Sequence, residues 1–361
     1  MVMIKVYQTY LIKSFWKILL SVFLVFFSLI IILNIFEEVS FFKDVEINPL
    51  YPFFLTVLTT PSIVYETFPF IFFISTQFFF IKLIDREELD IFKKISLSNT
   101  KLIFILSMSS FFISILLITL FYNLSSNLKF IYLEMKNKYS GDNKYLAIVT
   151  ENGLWIKDEI NENINIINAS KIDGNFLNDV TINQFSKDFD ISINIVAEKV
   201  NIENKRWIIT KGSFAKENQG LKGIKNYEFE SNFDAKKINN LFSDLSSLNI
   251  IELNKLKRDY NSLGYSVTNI DIHIQKLISY PIYLTIMTVF ASIVMLNIKR
   301  NKSKIFHIVL GTLFSVLVYY INYFSSLLGQ NEQLPEVLSI WLPLIIISLI
   351  CTFGLVRINE K

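Results

Sequence analysis

The chain has 361 residues, of which 52% are hydrophobic, and its mean hydropathy is +0.42. A soluble protein of this length would be less apolar, so the composition indicates an integral membrane protein. The formal net charge of +3 indicates no nucleic-acid-binding surface, and the single cysteine, Cys351, excludes an intrachain disulfide and a paired-cysteine metal site. The two histidines, His273 and His307, have no ligand-like spacing and are predicted to be non-catalytic.

Six apolar runs are each long enough to cross a bilayer as a helix. Three precede and three follow a long polar insert, at residues 18–35, 53–83, 102–121, 278–298, 305–328 and 334–355. The first run has neither the short apolar core nor the small-residue cleavage site of a signal peptide, so it is predicted to be a retained helix. The second contains Pro61 and Pro69, which predict a broken or kinked span, and Glu66, which is expected at one end or facing protein.

A polar stretch at residues 82–101 separates the second and third runs. Within it, residues 85–95 have apolar side chains at helical spacing, Leu89, Phe92 and Ile95, with charged side chains around them. This pattern predicts a short amphipathic helix, which cannot bury its apolar stripe alone. The pattern leaves two interpretations open: a solvated helix lying on the lipid headgroups, or a helix that docks on a partner protein.

The insert at residues 122–277 is rich in Asn, Lys, Asp and Ser and has no spanning run. Segments of alternating or β-rich composition recur at 145–157, 163–168, 190–197, 205–209 and 225–230. Turn-forming pairs such as Asn152-Gly153 and Asp173-Gly174 separate or punctuate them. The insert is therefore predicted to be an antiparallel β domain of sandwich or jelly-roll type, followed by a helical connector with a break at Gly264.

The predicted fold is a polytopic α-helical membrane protein with six transmembrane helices and an inserted antiparallel β jelly-roll domain. Its predicted domains are residues 1–121, with the amphipathic helix at 85–95, residues 122–277 and residues 278–361. The N-terminal arm and residues 299–304 carry basic residues and no acid, and the 82–101 stretch has five basic residues, whereas acidic residues dominate residues 36–51. By the positive-inside rule, both termini and the 82–101 stretch are predicted to be cytoplasmic, with the β domain on the far side of the membrane.

Sequence motifs for self-contained catalysis are absent, since GxxxxGK[ST], GxSxG and HExxH do not occur. Glu37 and Glu38 are adjacent acids at a helix end, and they are predicted to be solvated rather than an acid–base pair. Apart from Glu66, the spans carry almost no charge that could relay protons. The chain is therefore predicted to be neither an enzyme nor an ion-driven pump, and to hold no metal or cofactor of its own.

The order of spans and insert resembles the LptF/LptG permease family, the membrane subunits of the lipopolysaccharide-transport ABC exporter. Four segments carry the resemblance: Arg86-Glu87-Glu88-Leu89 with Phe92, Lys93 and Ser98; Gly153-Leu154-Trp155-Ile156-Lys157-Asp158; Lys276 through Pro281; and Pro61 through Pro69. The end of the first span, Ile35-Phe36-Glu37-Glu38, is more similar to LptG than to LptF. Two positions depart from the family, which has a glycine at Ser96 and a serine at Glu87.

The resemblance implies a multi-pass subunit of the bacterial inner membrane with a periplasmic β domain. Its implied partners are a homologous permease, a cytoplasmic ABC ATPase dimer that binds ATP, a single-span periplasmic accessory protein and lipopolysaccharide. The subunit would extract lipopolysaccharide from the membrane and pass it to a periplasmic bridge. Two other hypotheses are a permease for a different lipid and a membrane receptor or scaffold with a sensory β domain.

The resemblance also implies two sets of functional residues. The ATPase-coupling set consists of Asp85, Arg86, Glu88, Leu89 and Phe92. Within it, Glu88 would make the ATPase contact, Leu89 and Phe92 would be packing anchors, and Arg86 would be an ion-pair partner. The substrate path would pass a lateral gate between span 1 of one permease and span 5 of the other. On this chain it would include Phe27, Ile31 and Asn34 of span 1 and Tyr319, Tyr320 and Tyr323 of span 5.

Overall fold

A computed structural model of the protein describes residues 6–43, 47–137, 146–150, 153–160, 163–173, 175–186, 191–216, 219–235, 238, 244–263, 266–297 and 304–359. The chain divides into two compact units. One consists of Met1–Tyr132 with Asp271–Lys361, and the other is Leu133–Ile270. The predicted break at Gly264 and the basic residues at 299–303 lie outside the described residues.

The described helices are α1 (Val6–Phe41), α2 (Leu50–Asp85), α3 (Glu88–Lys94), α4 (Asn99–Leu116), α5 (Asn123–Asn137), α6 (Ile250–Leu263), α7 (Thr268–Leu296), α8 (Lys304–Gln330) and α9 (Glu336–Asn359). A π-helical turn, Leu117–Tyr122, joins α4 to α5. Among the described residues, six stretches are long and apolar enough to span a membrane: α1, α2, Asn99–Lys136, α7, α8 and Glu336–Ile358. The predicted arrangement of three spans, an insert and three further spans is thereby confirmed.

The helices are longer than the apolar runs that predicted them. α1 begins at Val6 and α7 at Thr268, well before the runs that start at residues 18 and 278. A helix of 36 residues such as α1 is about 54 Å long, whereas the hydrocarbon core of a bilayer is about 30 Å thick. Hydropathy therefore marks only the part of each helix that crosses the lipid.

Two prolines inside the spans, Pro69 and Pro343, are compensated by hydroxyl groups on neighbouring helices. α2 runs without interruption through Pro61 and Pro69, so these prolines do not break the span. Pro69 has no N–H to donate to the carbonyl of Tyr65, and the Tyr280 hydroxyl of α7 donates to that carbonyl at 2.6 Å. Pro343 likewise leaves the carbonyl of Ser339 free, which accepts from the Ser325 hydroxyl of α8 at 2.6 Å. In a membrane, where water cannot satisfy the freed carbonyls, such bonds also join helices.

Among the spans, α2 is the most enclosed by its own chain. Of its most apolar 18-residue window 61% is buried, against 17% for α1 and 22% for α8. α2 packs on α1 through the edge-to-face pair Phe15–Phe79 at 5.9 Å, and it bonds to α8 through Gln77 Nε2, which donates to the His307 carbonyl at 3.2 Å. A Cβ at Gly311 would lie 2.3 Å from Gln77 Nε2, so glycine permits this approach. The uncovered apolar faces of α1 and α8 are left for lipid or another subunit.

Glu38 is buried at the end of α1, and the prediction that it is solvated is wrong. Its exposed fraction is 2%, and its Oε1 accepts a hydrogen bond of 2.7 Å from the Tyr132 hydroxyl of α5. Glu37 next to it is exposed, as predicted. Sequence position could not distinguish the two acids, because the packing of α5 decides which face of α1 is covered.

The described part of the second unit contains one antiparallel sheet. Its strands are β1 (Leu146–Thr150), β2 (Gly153–Ile160), β3 (Asn163–Asp173), β4 (Phe176–Phe185), β5 (Ile191–Asn201), β6 (Arg206–Lys216) and β7 (Gln219–Glu230). Each strand pairs with the next along the chain, from β1 to β7. The predicted antiparallel insert is confirmed. Its described strands follow a meander order, which differs from the Greek-key crossovers of a two-sheet jelly roll.

The segment after β7 returns to the interior of the sheet. The Trp207 indole is buried and donates to the Phe233 carbonyl at 2.8 Å. Asp158 on β2 is also buried, and its carboxylate accepts three hydrogen bonds. The donors are Ser231 Oγ at 2.8 Å, Asn232 N at 2.9 Å and Asn232 Nδ2 at 2.9 Å. The chain leaving the last strand is thereby tied to the second strand.

Candidate coupling site and lipid path

The amphipathic segment is a turn followed by a helix, rather than one helix from residue 85. α2 continues to Asp85, and α3 begins at Glu88. Between them Glu87 has φ 57°, the left-handed region, which ends α2 and redirects the chain. Asp85 and Arg86 therefore belong to the end of α2 and its cap, whereas Glu88, Leu89 and Phe92 lie on α3.

The charges and the C-terminal cap of α3 explain why so short a segment is helical. Acids lie in its first turn and lysines in its last, which complements the helix dipole. Ser96 has φ 61°, and its N–H donates to the Lys93 carbonyl while that of Leu97 donates to the Phe92 carbonyl, both at 3.0 Å. This is a Schellman motif, in which glycine is the usual left-handed residue.

The apolar side chains of α3 do not form one exposed stripe. Phe92 is only 9% exposed, and Leu97 beyond the helix is also buried. Ile91 and Ile95 are exposed, and Leu89 is half-buried. Phe92 thus anchors the helix to its own chain, and the isoleucines supply the apolar surface that remains open.

Glu88 lies in a groove between α3 and the start of α1. The Tyr10 hydroxyl is 2.8 Å from Oε1 and 2.9 Å from Oε2 of Glu88. Arg86 Nη1 lies 3.9 Å from Oε1 of Glu88, at the outer distance limit of an ion pair. The groove has a volume of about 530 Å³ and is lined by Val6, Tyr7, Tyr10, Glu88, Ile91 and Phe92.

The end of α2 is joined to two other spans. Lys82 Nζ donates to the Ser14 hydroxyl of α1 at 2.9 Å. Asp85 forms an ion pair with Lys304, the first residue of α8, and both side chains are about half exposed. The end of α2 that precedes α3 therefore contacts both α1 and α8, which are spans 1 and 5 of this chain.

The predicted lipid-path residues are less covered on α8 than on α1. Phe27, Ile31 and Asn34 are half-buried, and the three tyrosines of α8 are exposed. Tyr319 stacks with Tyr323 at 6.4 Å and contacts Phe70 of α2 at 5.4 Å. No hydrogen bond or ring contact joins the α1 set to the α8 set in the described part of the chain.

Charged residues occur beside this aromatic face. Glu66 of α2 lies close enough to Lys276 of α7 and to Tyr319 for electrostatic interaction. The adjoining residues Tyr65 and Tyr280 stack at 4.6 Å, which brings α2 and α7 together at this level. Charges within spans are expensive unless they pair or face protein or water, so the opposite charge of Lys276 reduces the cost of placing Glu66 here.

Sequence reasoning missed Tyr10, Ser14 and Lys304 at the coupling site. Each is an ordinary polar residue near a helix terminus, and none belongs to a segment that carried the resemblance. Tyr10 and Ser14 are four residues apart on α1, so they lie on one face of that helix. This spacing was the only signal in the sequence, and it does not reveal which segment the face contacts.

Comparison with known proteins identifies the family of the chain but does not test the geometry of the site. No curated protein matches the chain. The family model for the lipopolysaccharide export system permease LptF/LptG matches residues 9–357. It covers LptF and LptG together, so the closer similarity to LptG stays a prediction. Because the match spans nearly all of its length, the chain belongs to the LptF/LptG family of lipopolysaccharide export permeases.

Proposed function

We propose that this chain is one of two permease subunits of an ABC exporter that extracts lipopolysaccharide from the inner membrane and passes it to a periplasmic bridge. Family membership supports the substrate and the transport role, and the six apolar helices support a multi-pass inner-membrane protein. One observation supports the coupling mechanism: α3 presents charged and apolar side chains beside the start of α1.

The energy for extraction must come from a separate subunit, because the sequence contains no phosphate-binding GxxxxGK[ST] loop. A cytoplasmic ATPase dimer would bind ATP and move α3. Glu88 would provide its charged contact, and the exposed side chains of Ile91 and Ile95 would provide apolar contact area. Phe92 would hold α3 to the permease, so that movement of the helix is transmitted and not lost.

The lipid would enter between α1 of one permease and α8 of its homologous partner. Their uncovered faces support this assignment, because acyl chains need an apolar surface that the chain itself does not fill. Tyr319, Tyr320 and Tyr323 have the amphipathic character of residues that favour the membrane interface. With both termini cytoplasmic, the β domain is periplasmic and receives the lipid.

Onward transfer would use the edges of the sheet. β1 and β7 are its edge strands, and an edge strand presents backbone groups that a strand of another protein can pair with. A periplasmic bridge protein and a single-span accessory protein are the proposed partners there. Such pairing would continue the apolar interior of the sheet into the next protein.

Copurification from membranes tests this proposal. The wild-type chain is expected to recover a second permease and an ABC ATPase. Neither Glu88→Arg nor Ile95→Asp is expected to recover the ATPase. Because Ile95 is exposed, its substitution should leave the fold intact. Phe92→Ala is expected to retain the ATPase but to uncouple ATP hydrolysis from lipid extraction, since it loosens α3. Glu37→Arg, a charge reversal at an exposed position on the other end of α1, is the matched control. A wild-type chain recovered alone, or with a histidine kinase, would support the receptor hypothesis instead.

A further inference from the structure

The Tyr10 hydroxyl and the Glu88 carboxylate connect the first membrane helix directly to α3. The hydroxyl lies 2.8 and 2.9 Å from the two carboxylate oxygens, so its one proton is shared between them. Tyr10 is partly exposed, whereas the Glu88 side chain is 17% exposed. A hydrogen bond to an ionised acceptor is stronger than one between neutral groups.

A second contact of the same α1 face supports the connection. Ser14 lies one helical turn after Tyr10, and its hydroxyl accepts from Lys82 Nζ of α2 at 2.9 Å. Tyr10 therefore reaches past the end of α2 to the first residue of α3. Because Glu87 in the left-handed conformation separates α2 from α3, α3 could pivot at this turn if nothing else held it.

We propose that Tyr10 is a positioning residue, which fixes the orientation of Glu88 and couples displacement of α3 to α1. This inference rests on the proposed function, in which an ATPase moves α3 and α1 forms part of the gate. Without the hydroxyl, α3 would act on α1 through the packing of Phe92 and the covalent connection to α2, without a hydrogen bond between Glu88 and α1. With it, the carboxylate contacted by the ATPase is also bonded to the gate helix.

Tyr10→Phe removes the hydroxyl and keeps the ring, and Tyr7→Phe is its matched control. Tyr7 lines the same groove and has no hydrogen bond to Glu88 in the described part of the chain. Each variant is reconstituted with the second permease and the ATPase in lipopolysaccharide-containing vesicles. ATP hydrolysed and lipid extracted are measured together. Tyr10→Phe is expected to keep the ATPase bound and to lower lipid extracted per ATP about fivefold, with Tyr7→Phe unchanged.

A double-variant comparison distinguishes positioning from a general structural effect. If Tyr10 acts through Glu88, then Tyr10→Phe does not further increase the mobility of α3 in a Glu88→Ala chain, which a spin label on α3 reports without the ATPase. A further increase in that background would overturn the proposal. So would unchanged extraction per ATP in Tyr10→Phe, or loss of the ATPase from it, since the latter would make Tyr10 a docking residue.

A measurement without the ATPase separates this inference from the proposed function. The whole chain is used, with Cys351 replaced by serine so that a single introduced cysteine can be labelled. A nitroxide attached at Lys94→Cys, an exposed position at the end of α3, reports the mobility of that helix. The label is expected to become more mobile in Tyr10→Phe and not in Tyr7→Phe. Equal mobility in both would overturn the Tyr10 connection even if the exporter assembles. Failure of the wild-type chain to bind an ATPase would overturn the proposed function, whatever the label reports.

Discussion

Replacing Asp158 by alanine is expected to destabilise the β domain more than any substitution of an exposed carboxylate in it. Asp158 is fully buried on β2, and it accepts hydrogen bonds from Ser231 and from the backbone and side chain of Asn232. The residue also ends the Gly-Leu-Trp-Ile-Lys-Asp segment that resembles the family. Its carboxylate holds the chain leaving β7 against β2, so its loss should release that chain.

The magnitude follows from the donors that alanine would leave without an acceptor. A hydrogen bond to a charged group contributes about 1.5–3 kcal/mol, and such contributions within one network are not additive. Two donors keep a second interaction: Ser231 Oγ accepts from Phe233 N at 3.1 Å, and Asn232 Nδ2 lies 3.2 Å from the Glu159 carbonyl. The expected loss is therefore about 3–5 kcal/mol, the range for breaking a buried charged network. Asp158→Asn should lower the free energy of unfolding by about 2–3 kcal/mol. The amide oxygen still accepts a hydrogen bond, but the amide NH₂ is itself a donor and faces the donors of Ser231 or Asn232.

Hydrogen exchange of the full-length chain in detergent measures this loss. A loss of 3–5 kcal/mol accelerates exchange through opening by roughly 100- to 4,000-fold. Amides of β2 and of residues 231–235 should show it in Asp158→Ala. Glu228→Ala, an exposed carboxylate on β7, is the control and should change stability by less than about 0.5 kcal/mol. Equal protection in the two variants would refute the assignment of Asp158 as the residue that ties β7 to β2.

Two further substitutions test the coupling site. Ser96→Gly should slow exchange of the Leu97 amide about fivefold, because glycine relieves about 1 kcal/mol of strain at φ 61°. Ser98→Gly should instead speed amide exchange at the start of α4, because the Ser98 hydroxyl caps that helix by accepting from Lys101 N at 3.3 Å. Faster exchange of the Leu97 amide in Ser96→Gly would contradict the strain argument. Lys304→Glu should lower the thermal stability of the helical unit by at most about 1 kcal/mol, since both members of its pair with Asp85 are about half exposed. The double variant Asp85→Lys with Lys304→Glu reverses both charges and should restore the lost stability at low salt. If it does not, the ion pair contributes nothing to stability.

Much of the fold was predictable because the physical signals are local. A bilayer requires about 20 consecutive apolar residues, and an antiparallel strand with one buried face requires alternation. These rules predicted the spans and the β insert from the sequence. They predicted the helix ends poorly, because α1 and α7 continue beyond the lipid, where hydropathy carries no information.

The candidate site was predicted by segment but not by contact. The polar composition of residues 82–101 identified a helix, and the resemblance identified Glu88. The left-handed conformation at Glu87 and Ser96 was not predictable from residue type, since these residues rarely adopt it. The burial of Phe92 was not predictable either, because an amphipathic pattern does not state which partner covers its apolar face.

The sequence by itself determined which segments enter the lipid, which segment forms the β-sheet and where the charged helix lies. The tertiary structure alone decided that Glu88 bonds to Tyr10, 78 residues away, that Asp85 pairs with Lys304, 219 residues away, and that Glu38 is buried while Glu37 is exposed. Hydropathy and periodicity act over neighbouring residues, so they specify elements. Contacts between distant residues depend on how each helix is rotated and packed, which no local pattern contains.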